Sequence, residues 1–212
     1  MRNRYGLTLL ALAILAIVAC TPSDGTSGGG GSGTAEVAFE VIPDYLDEPY
    51  ENASLGIAFR PPVGWDPLDT QQREQVADAL VTEQDGDRFS LHLVDVFLTT
   101  DTLSFAALSR VTSAGEPVSD REPFVEAFES GLGPANEEVR ERADFTVDGL
   151  GVTQFRHVVD DRIVFSLIFP ANDGSVVKLD YSIPAAVYED EGIKLESSIG
   201  TLQRIDAETE EE

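Results

Sequence analysis

Histidine is the side chain that most readily moves protons near neutral pH, and this chain of 212 residues has only two, His92 and His157. A histidine acting as a general base needs a partner within hydrogen-bond reach, and Asp95 and Asp160 each lie three residues downstream of one. Both histidines fall in predicted strands, where positions three apart point to opposite faces. Neither pair can form a local couple, so catalysis would require a contact between strands. We therefore predict that the chain is not an enzyme.

A second possible chemistry is calcium binding, because Glu83, Asp85 and Asp87 are closely spaced acids. An EF-hand loop ends in a glutamate at its twelfth position, and counting from Asp85 reaches Val96 instead. The sequence therefore lacks that motif here. Weak calcium binding by acidic loops, including Asp44 to Glu51, stays open as an alternative, and we expect no other cofactor.

The first 19 residues have the pattern of a secretory leader. Arg2 and Arg4 give a positive start, and Leu7 to Ala19 is apolar except for Thr8. A helix that spans a membrane needs about 20 consecutive apolar residues, and this stretch is shorter. We therefore predict that residues 1–19 are a signal peptide that is removed, not an anchor that is retained.

The end of the leader resembles the processing box of bacterial lipoproteins. Ile17 and Ala19 supply the medium aliphatic and the small side chain that this box places before its cysteine, here Cys20. In such proteins the cysteine sulfur receives a diacylglycerol, and acyl chains such as palmitate hold the new N-terminus in the bilayer. The resemblance implies lipid attachment at Cys20 and a location in the cell envelope, facing the periplasm or the cell exterior. The alternative is an ordinary secretory cleavage beside an incidental cysteine.

Composition divides the rest of the chain into three parts. Residues 20–35 are rich in glycine and serine and predict a flexible tether, which would hold the domain on the order of 20 Å from the lipid. Residues 36–206 are long enough for one folded domain with a core. Residues 207–212 form an acidic tail that we expect to be disordered. Because Cys20 is the only cysteine, the folded domain has no internal disulfide.

The charge of the chain restricts its partners. It has 39 acidic and 14 basic residues, a net charge of −25, and removal of the leader takes away two arginines and no acid. Binding to nucleic acid depends on lysine and arginine neutralising phosphates, so we exclude nucleic acid as a partner. Such an acidic surface either attracts cations or only keeps the domain soluble, and the charge does not decide between the two.

The first half of the domain predicts a mixture of strands and one helix. Alternation at Val37, Phe39 and Val41 indicates a half-buried strand, and the acid- and proline-rich stretch from Pro43 to Glu51 indicates a loop. Gly56 to Arg60 reads as a short strand that two prolines end.

Asp69 and Gln72 have the spacing of a helix cap, and an apolar repeat continues to about Glu83. Phe89 to Leu98 is apolar on both faces and predicts a central, doubly covered strand, in which Asp95 must pair with an arginine or leave the core. Thr102 to Val111 is ambiguous, because Leu103, Ala107 and Val111 fit a helix whereas the serine and threonine content argues against one.

The second half predicts a helix, several hairpins and a closing helix. Ser119 with Glu122 has the spacing of a capping box. Successive apolar strands follow, near 139–147, 152–159, 163–169 and 176–183, with turn residues between them that predict antiparallel pairing. An apolar face from Tyr188 to Leu202 predicts the last helix. The expected class is α+β, an α/β/α sandwich in which helices cover both faces of a mainly antiparallel sheet.

The stretch from Tyr50 to Trp65 resembles the opening hairpin of the PsbP-like family. It places an aromatic residue and Asn52 before Gly56, then an alternating strand, then Pro61, Pro62 and Trp65. The resemblance extends to about Leu202 and implies an accessory or scaffold role, because photosynthetic members of that family support a membrane complex. It implies no catalytic residue. The sequence therefore predicts a lipid-anchored, non-enzymatic domain that binds an envelope protein partner, with a module for divalent cations or small ligands as the alternative.

Overall fold

The computed structural model describes residues 35–36, 39–81, 88–132 and 141–205. The predicted signal peptide, Cys20, nearly all of the tether and the acidic tail lie outside these residues. Among the described residues, no helix is both long and apolar enough to cross a membrane.

A large sheet dominates the described part of the chain. Its strands run in the order β1-β8-β9-β10-β11-β6-β5-β4, and β7 pairs with β6. Every pairing is antiparallel except that of β1 with β8, so the predicted mixed class with a mainly antiparallel sheet is confirmed. The bounds are β1 Ala35–Glu36, β4 Asp66–Pro67, β5 Ser90–Leu98, β6 Phe105–Ser113, β7 Glu116–Pro117, β8 Glu141–Val147, β9 Leu150–Val159, β10 Arg162–Pro170 and β11 Val176–Pro184.

A second, smaller sheet carries the stretch that resembles the PsbP-like opening hairpin. It has the order β12-β3-β2, with β2 Tyr50–Asn52, β3 Ile57–Phe59 and β12 Gln203–Arg204. The turn between β2 and β3 needs a glycine, because Gly56 has a φ of +62° and an added Cβ would meet the side chain of Asn172. Trp65 is buried, as expected for a core aromatic residue.

The prediction that the strand from Phe89 to Leu98, now β5, is central in the sheet is wrong. β5 lies near one end of the sheet order, and β10 and β11 lie further inside. The ambiguous stretch from Thr102 to Val111 forms most of β6, which separates β5 from β11. The register of β5 against β6 also shifts between Leu93 and Asp95, so a bulge interrupts the alternation that the sequence suggested.

Three α-helices lie in the described residues and follow the sequence predictions closely, with one cap displaced. They are α1 Thr70–Val81, α2 Arg121–Gly131 and α3 Tyr188–Ile199. Asp69 and Gln72 exchange backbone-to-side-chain hydrogen bonds of 2.8 and 3.1 Å, which confirms the first capping box. The cap of α2 is Asp120, not Ser119, because its carboxylate accepts from the backbone N–H of Glu122.

The N-terminal part of the domain differs from its predicted strand and loop. Phe39 to Val41 is not a strand, although Phe39 packs edge-on against Phe145 at 5.2 Å between ring centroids. The predicted loop contains a short 3-10 helix, Pro43–Tyr45, and the start of β2. Tertiary contacts order this acid-rich stretch, which is consistent with the buried side chain of Leu46.

Alternate positions along the strands belong to different parts of the core. Leu167 packs in a cluster with Leu195 and Ile199 of α3, whereas the next residue, Ile168, packs with Phe124 and Phe128 of α2. A further cluster joins Val76 of α1 to β5 and β6. Side chains of α3 and of α2 therefore pack with strand positions of opposite parity.

Candidate functional site

The two histidines lie in contrasting places, and neither forms a couple with its nearby aspartate. His92 is exposed on β5, and its cross-strand neighbour on β6 is Arg110. His157 is buried on β9, whereas Asp160 lies in the exposed turn after it. For His157 this agrees with the predicted spacing. For His92 the argument from strand alternation is wrong, because the bulge of β5 places His92 and Asp95 opposite β6 positions two residues apart, and so on the same face. Asp95 pairs with Arg73 instead.

Asp95 pairs with an arginine, which was one of the two possibilities that the sequence left open for it. Its carboxylate oxygen Oδ1 accepts from Arg73 of α1 at 3.2 Å and from the backbone N–H of Val96 at 3.1 Å. The carboxylate is mostly buried, at 14% exposed, and the guanidinium is 31% exposed. The arginine partner therefore offsets the cost of placing a charge beside the core.

Tyr50 completes the surroundings of this ion pair. Burial, opposed by a hydrogen bond with Asn52 and assisted by the negative charge of Asp95, raises the pKa of the Tyr50 phenol to about 12. The phenol stays neutral across the physiological range, and its hydroxyl accepts from the Asn52 amide at 3.0 Å. Tyr50 is therefore a structural neighbour of the Arg73–Asp95 pair, not an acid or base.

A cleft of about 440 Å³ opens beside this pair, and we call it the β5 cleft. Helix α1, the turn after β2 and the strands β5 and β6 all contribute to its lining. Its polar side chains are Ser54, Arg73, Glu74, His92 and Arg110. Among the described residues, β4 pairs only with Phe97 and Leu98 of β5, so the cleft lies along the part of β5 that has no strand on its outer side.

Arg110 is held in the β5 cleft much as Arg73 is. Its Nη2 lies 3.1 Å from a carboxylate oxygen of Asp173, and its side chain is 26% exposed. Burial alone would raise the pKa of Asp173, but hydrogen bonds from Ser175 and the charge of Arg110 outweigh it and hold this pKa below its usual value. Two arginines thus reach one cleft, each fixed by a carboxylate.

A second group of polar side chains is fully enclosed between α2 and the sheet, and we call it the buried polar cluster. It consists of His157, Ser166, Lys178 and Asp180. The ammonium of Lys178 donates to Asp180, and the hydroxyl of Ser166 donates to the other oxygen of Asp180 at 2.6 Å. Lys178 also lies 4.8 Å from the ring centroid of Phe128. The cluster is thus an ion pair sealed under an aromatic side chain.

His157 is the least satisfied member of the buried polar cluster. It lies edge-on to Phe128 at 5.9 Å, and neither of its ring nitrogens has a hydrogen-bond partner among the described residues. Burial, and then the positive charge of Lys178, lowers the pKa of His157 to about 4, against a smaller opposing effect of Asp180. The imidazole is therefore neutral at physiological pH and has no access to a solvent-borne substrate.

Of the two acidic stretches considered for calcium, only the one from Asp44 to Glu51 lies in the described part of the chain. No group of three or more histidine, cysteine, aspartate or glutamate side chains gathers there in a geometry that could hold a metal ion. Glu83, Asp85 and Asp87 lie outside it.

Sequence reasoning missed both arginines and the buried polar cluster. Lys178, Asp180 and Ser182 occupy alternate positions of one strand, a pattern typical of a solvated face. The structure buries that face instead, with Lys178 at 0% exposed. The sequence shows the alternation of these side chains but does not show that their face of the strand is buried.

No family model matches this chain, and no curated protein is significantly similar to it.

Proposed function

We propose that this chain is a lipid-anchored lipoprotein of the cell envelope whose folded domain has a non-enzymatic accessory role and binds an envelope protein partner. One observation carries the proposal: Ile17 and Ala19 precede Cys20 at the end of a short apolar leader, and a glycine- and serine-rich tether follows. Several acyl chains at Cys20 would give stable anchoring, because each buried methylene contributes about 0.8 kcal/mol. The domain would then face the periplasm or the cell exterior.

The same proposal includes the finer fold, a PsbP-like α/β/α sandwich. Its support is the division of the core, in which α3 packs with one set of strand positions and α1 and α2 with the other. Burial of Phe59 and Trp65 supports the structural role that the resemblance gives to the stretch from Tyr50 to Trp65.

An accessory role, not catalysis, agrees with the surroundings of the histidines. His92 lies opposite an arginine, and His157 lies beside a lysine that is already paired with Asp180. A general base would need a carboxylate that orients it toward a substrate. Binding therefore accounts for the described side chains better than acid–base catalysis does.

The anchor can be tested by expressing the full-length chain in a bacterium and separating membranes from soluble protein. Wild type and a Thr21→Ala control should sediment with membranes and carry acyl groups on the first residue by mass spectrometry. Cys20→Ala should be released from the membrane. A Cys20→Ala protein that still sediments, or a wild-type N-terminus without acyl groups, would overturn the lipoprotein assignment.

The partner can be tested by crosslinking the wild-type chain in native membranes and comparing the products with those of Cys20→Ala. An accessory domain should give a defined crosslinked protein that depends on anchoring. Recovery of the chain without any crosslinked protein, at a crosslinker dose that captures a known envelope complex in the same membranes, would contradict the accessory role.

A second candidate function, binding of a small ligand, is favoured by the β5 cleft. Its volume of about 440 Å³ falls in the range of small-molecule sites, and polar side chains from a helix, a turn and two strands converge on it. A thermal-unfolding screen of neutral, zwitterionic and anionic metabolites tests this candidate, because a ligand that binds only the folded state raises the melting temperature. No shift with any class would argue against it.

Calcium binding is the metal form of this second candidate. Its test is thermal unfolding of the full-length chain in calcium chloride, with sodium chloride at equal ionic strength as the control. Stabilisation by calcium beyond that of sodium supports a cation site, and equal stabilisation means that calcium only screens the acidic surface.

A further inference from the structure

The β5 cleft concentrates positive groups on a strongly acidic chain. Two of the 14 lysines and arginines and one of the two histidines line it. We propose that this cleft binds a small ligand through an oxyanion, a carboxylate or a phosphate group, with Arg73 and Arg110 as the main donors and His92 as a third contact. The inference rests on the second candidate function above and names the ligand chemistry of that site.

The arginines are suited to this role because their positions are already fixed. Arg73 uses Nη1 to bond Asp95, and Arg110 uses Nη2 to approach Asp173. A guanidinium carries five N–H donors in a planar fork, so one contact with a carboxylate leaves donors for a second anion. Side chains that are held in place before binding lose less conformational entropy when the ligand arrives.

The strand register supplies a second argument. His92 and Arg110 are direct cross-strand partners, which places two basic side chains next to each other on one face. A guanidinium carries N–H donors, and an imidazole carries at least one. An oxyanion that enters the cleft beside these two side chains can therefore accept hydrogen bonds from both of them.

Acidic side chains in the same cleft limit the charge of the ligand. Glu74 lines the cleft, and Asp95 and Asp173 lie behind the two arginines. These carboxylates would repel a polyanion such as a nucleic acid or a polyphosphate. A compact organic acid or a phosphate monoester, with one oxyanion group for the two arginines, fits both the volume and the charge.

The test uses the full-length chain in detergent, with inorganic phosphate and succinate as probes. Isothermal titration at constant ionic strength should show saturable binding of at least one of them, while sodium chloride alone should give none. Phosphate preferred over succinate indicates a phosphate-bearing ligand, and the reverse preference indicates a carboxylate. Absence of saturable binding for both probes overturns the proposal.

Variants locate the binding in the β5 cleft. Arg73→Gln and Arg110→Gln should each weaken binding about tenfold or more, because each removes a charge-assisted hydrogen bond. Arg156→Gln is the matched control, since Arg156 is a comparably exposed arginine, 33% against 31% for Arg73, that pairs with Glu141 instead. Equal affinities in all three variants would overturn the proposal.

Nuclear magnetic resonance of the imidazole protons reads out binding in the wild-type protein, and one variant is needed only to assign the signals. The chain has only two histidines, so His92→Gln assigns both signals. Adding the bound probe to wild type should shift the His92 signal and leave that of buried His157 in place. A shift of neither signal, or of His157 alone, would place the anion elsewhere and contradict the proposal.

Oxyanion binding can fail or succeed independently of the other two proposals, small-ligand binding by the β5 cleft and the accessory role. Stabilisation by neutral or zwitterionic compounds, without binding of phosphate or succinate, would reject the oxyanion and keep a ligand-binding cleft. Oxyanion binding in a chain that crosslinks to no envelope protein would support the inference and contradict the accessory role.

Discussion

The β5 cleft and the buried polar cluster contain the same types of side chain in opposite surroundings. In the β5 cleft, Arg73 and Arg110 are each about a quarter to a third exposed, and water shares their charge. In the buried polar cluster, Lys178 is 0% exposed and is paired with Asp180, which is 4% exposed. Loss of one partner should therefore cost little stability where water reaches the charged pair and much more where water does not.

The largest effect should come from breaking the buried pair. Asp180→Asn keeps the side-chain volume and leaves the Lys178 ammonium without a counter-charge, so we expect a loss of about 3–5 kcal/mol in the free energy of unfolding. Urea unfolding at neutral pH measures it. Asp173→Asn, which removes the exposed partner of Arg110, is the control and should cost less than about 1 kcal/mol.

A triple substitution separates the effect of charge from that of packing. Lys178→Met, Asp180→Leu and Ser166→Ala remove the charge, its counter-charge and the hydroxyl that donates to Asp180, so the protein should be about as stable as wild type or more stable. A triple variant as unstable as Asp180→Asn would show that packing around the pair, and not its charge, determines stability.

The next effect is a dependence of stability on pH caused by His157. Its pKa is about 4 in the folded state, against an ordinary value of about 6.5 in the unfolded chain. As the pH falls below about 6.5 the unfolded state binds a proton that the folded state resists, so stability is lost between about pH 6.5 and pH 4. The loss attributable to His157 should approach about 3 kcal/mol, since each unit of pKa difference corresponds to about 1.4 kcal/mol.

His157→Leu isolates this contribution from that of the many carboxylates. The variant should match or exceed wild type at neutral pH, because it removes buried ring nitrogens that have no hydrogen-bond partner in the described part of the chain. It should also lose less stability on acidification. Urea midpoints of both proteins between pH 7 and about pH 4 test it, with exposed His92→Leu as the control. Parallel curves for wild type and His157→Leu would mean that His157 does not resist protonation.

The smallest effect should be that of the pair between α1 and the bulge of β5. Arg73→Gln removes a partly exposed ion pair and should cost about 1 kcal/mol, less than Asp180→Asn does. Salt should reduce this cost, because the cleft is open to solvent, whereas it should change that of Asp180→Asn little. A larger cost for Arg73→Gln than for Asp180→Asn would reverse the comparison between the two regions.

Local patterns in the sequence predicted much of the fold. The capping pair of Asp69 and Gln72, the apolar face of α3 and the turn residues between the last strands act over a few neighbouring residues, so their signal is present in the chain itself. Strand order was not predictable in this way, because the pairing of β6 with β11 joins segments more than 60 residues apart.

The candidate site was less predictable than the fold, for a related reason. Arg73 and Arg110 lie far apart in the sequence and meet in the β5 cleft only because α1 packs beside β5 and β6 pairs with it. The bulge at Val94 also shifts Asp95 out of simple alternation. It could not be predicted, because β5 contains no glycine or proline that would indicate a bulge.

Composition and short spacings were enough to establish the apolar run before Cys20, the acidic charge and the class of the fold. Which polar side chains are buried and which remain open to solvent depends on the tertiary structure. Burial depends on what other segments pack above a strand, and the alternation of Lys178 and Asp180 is the same whether that face meets water or Phe128.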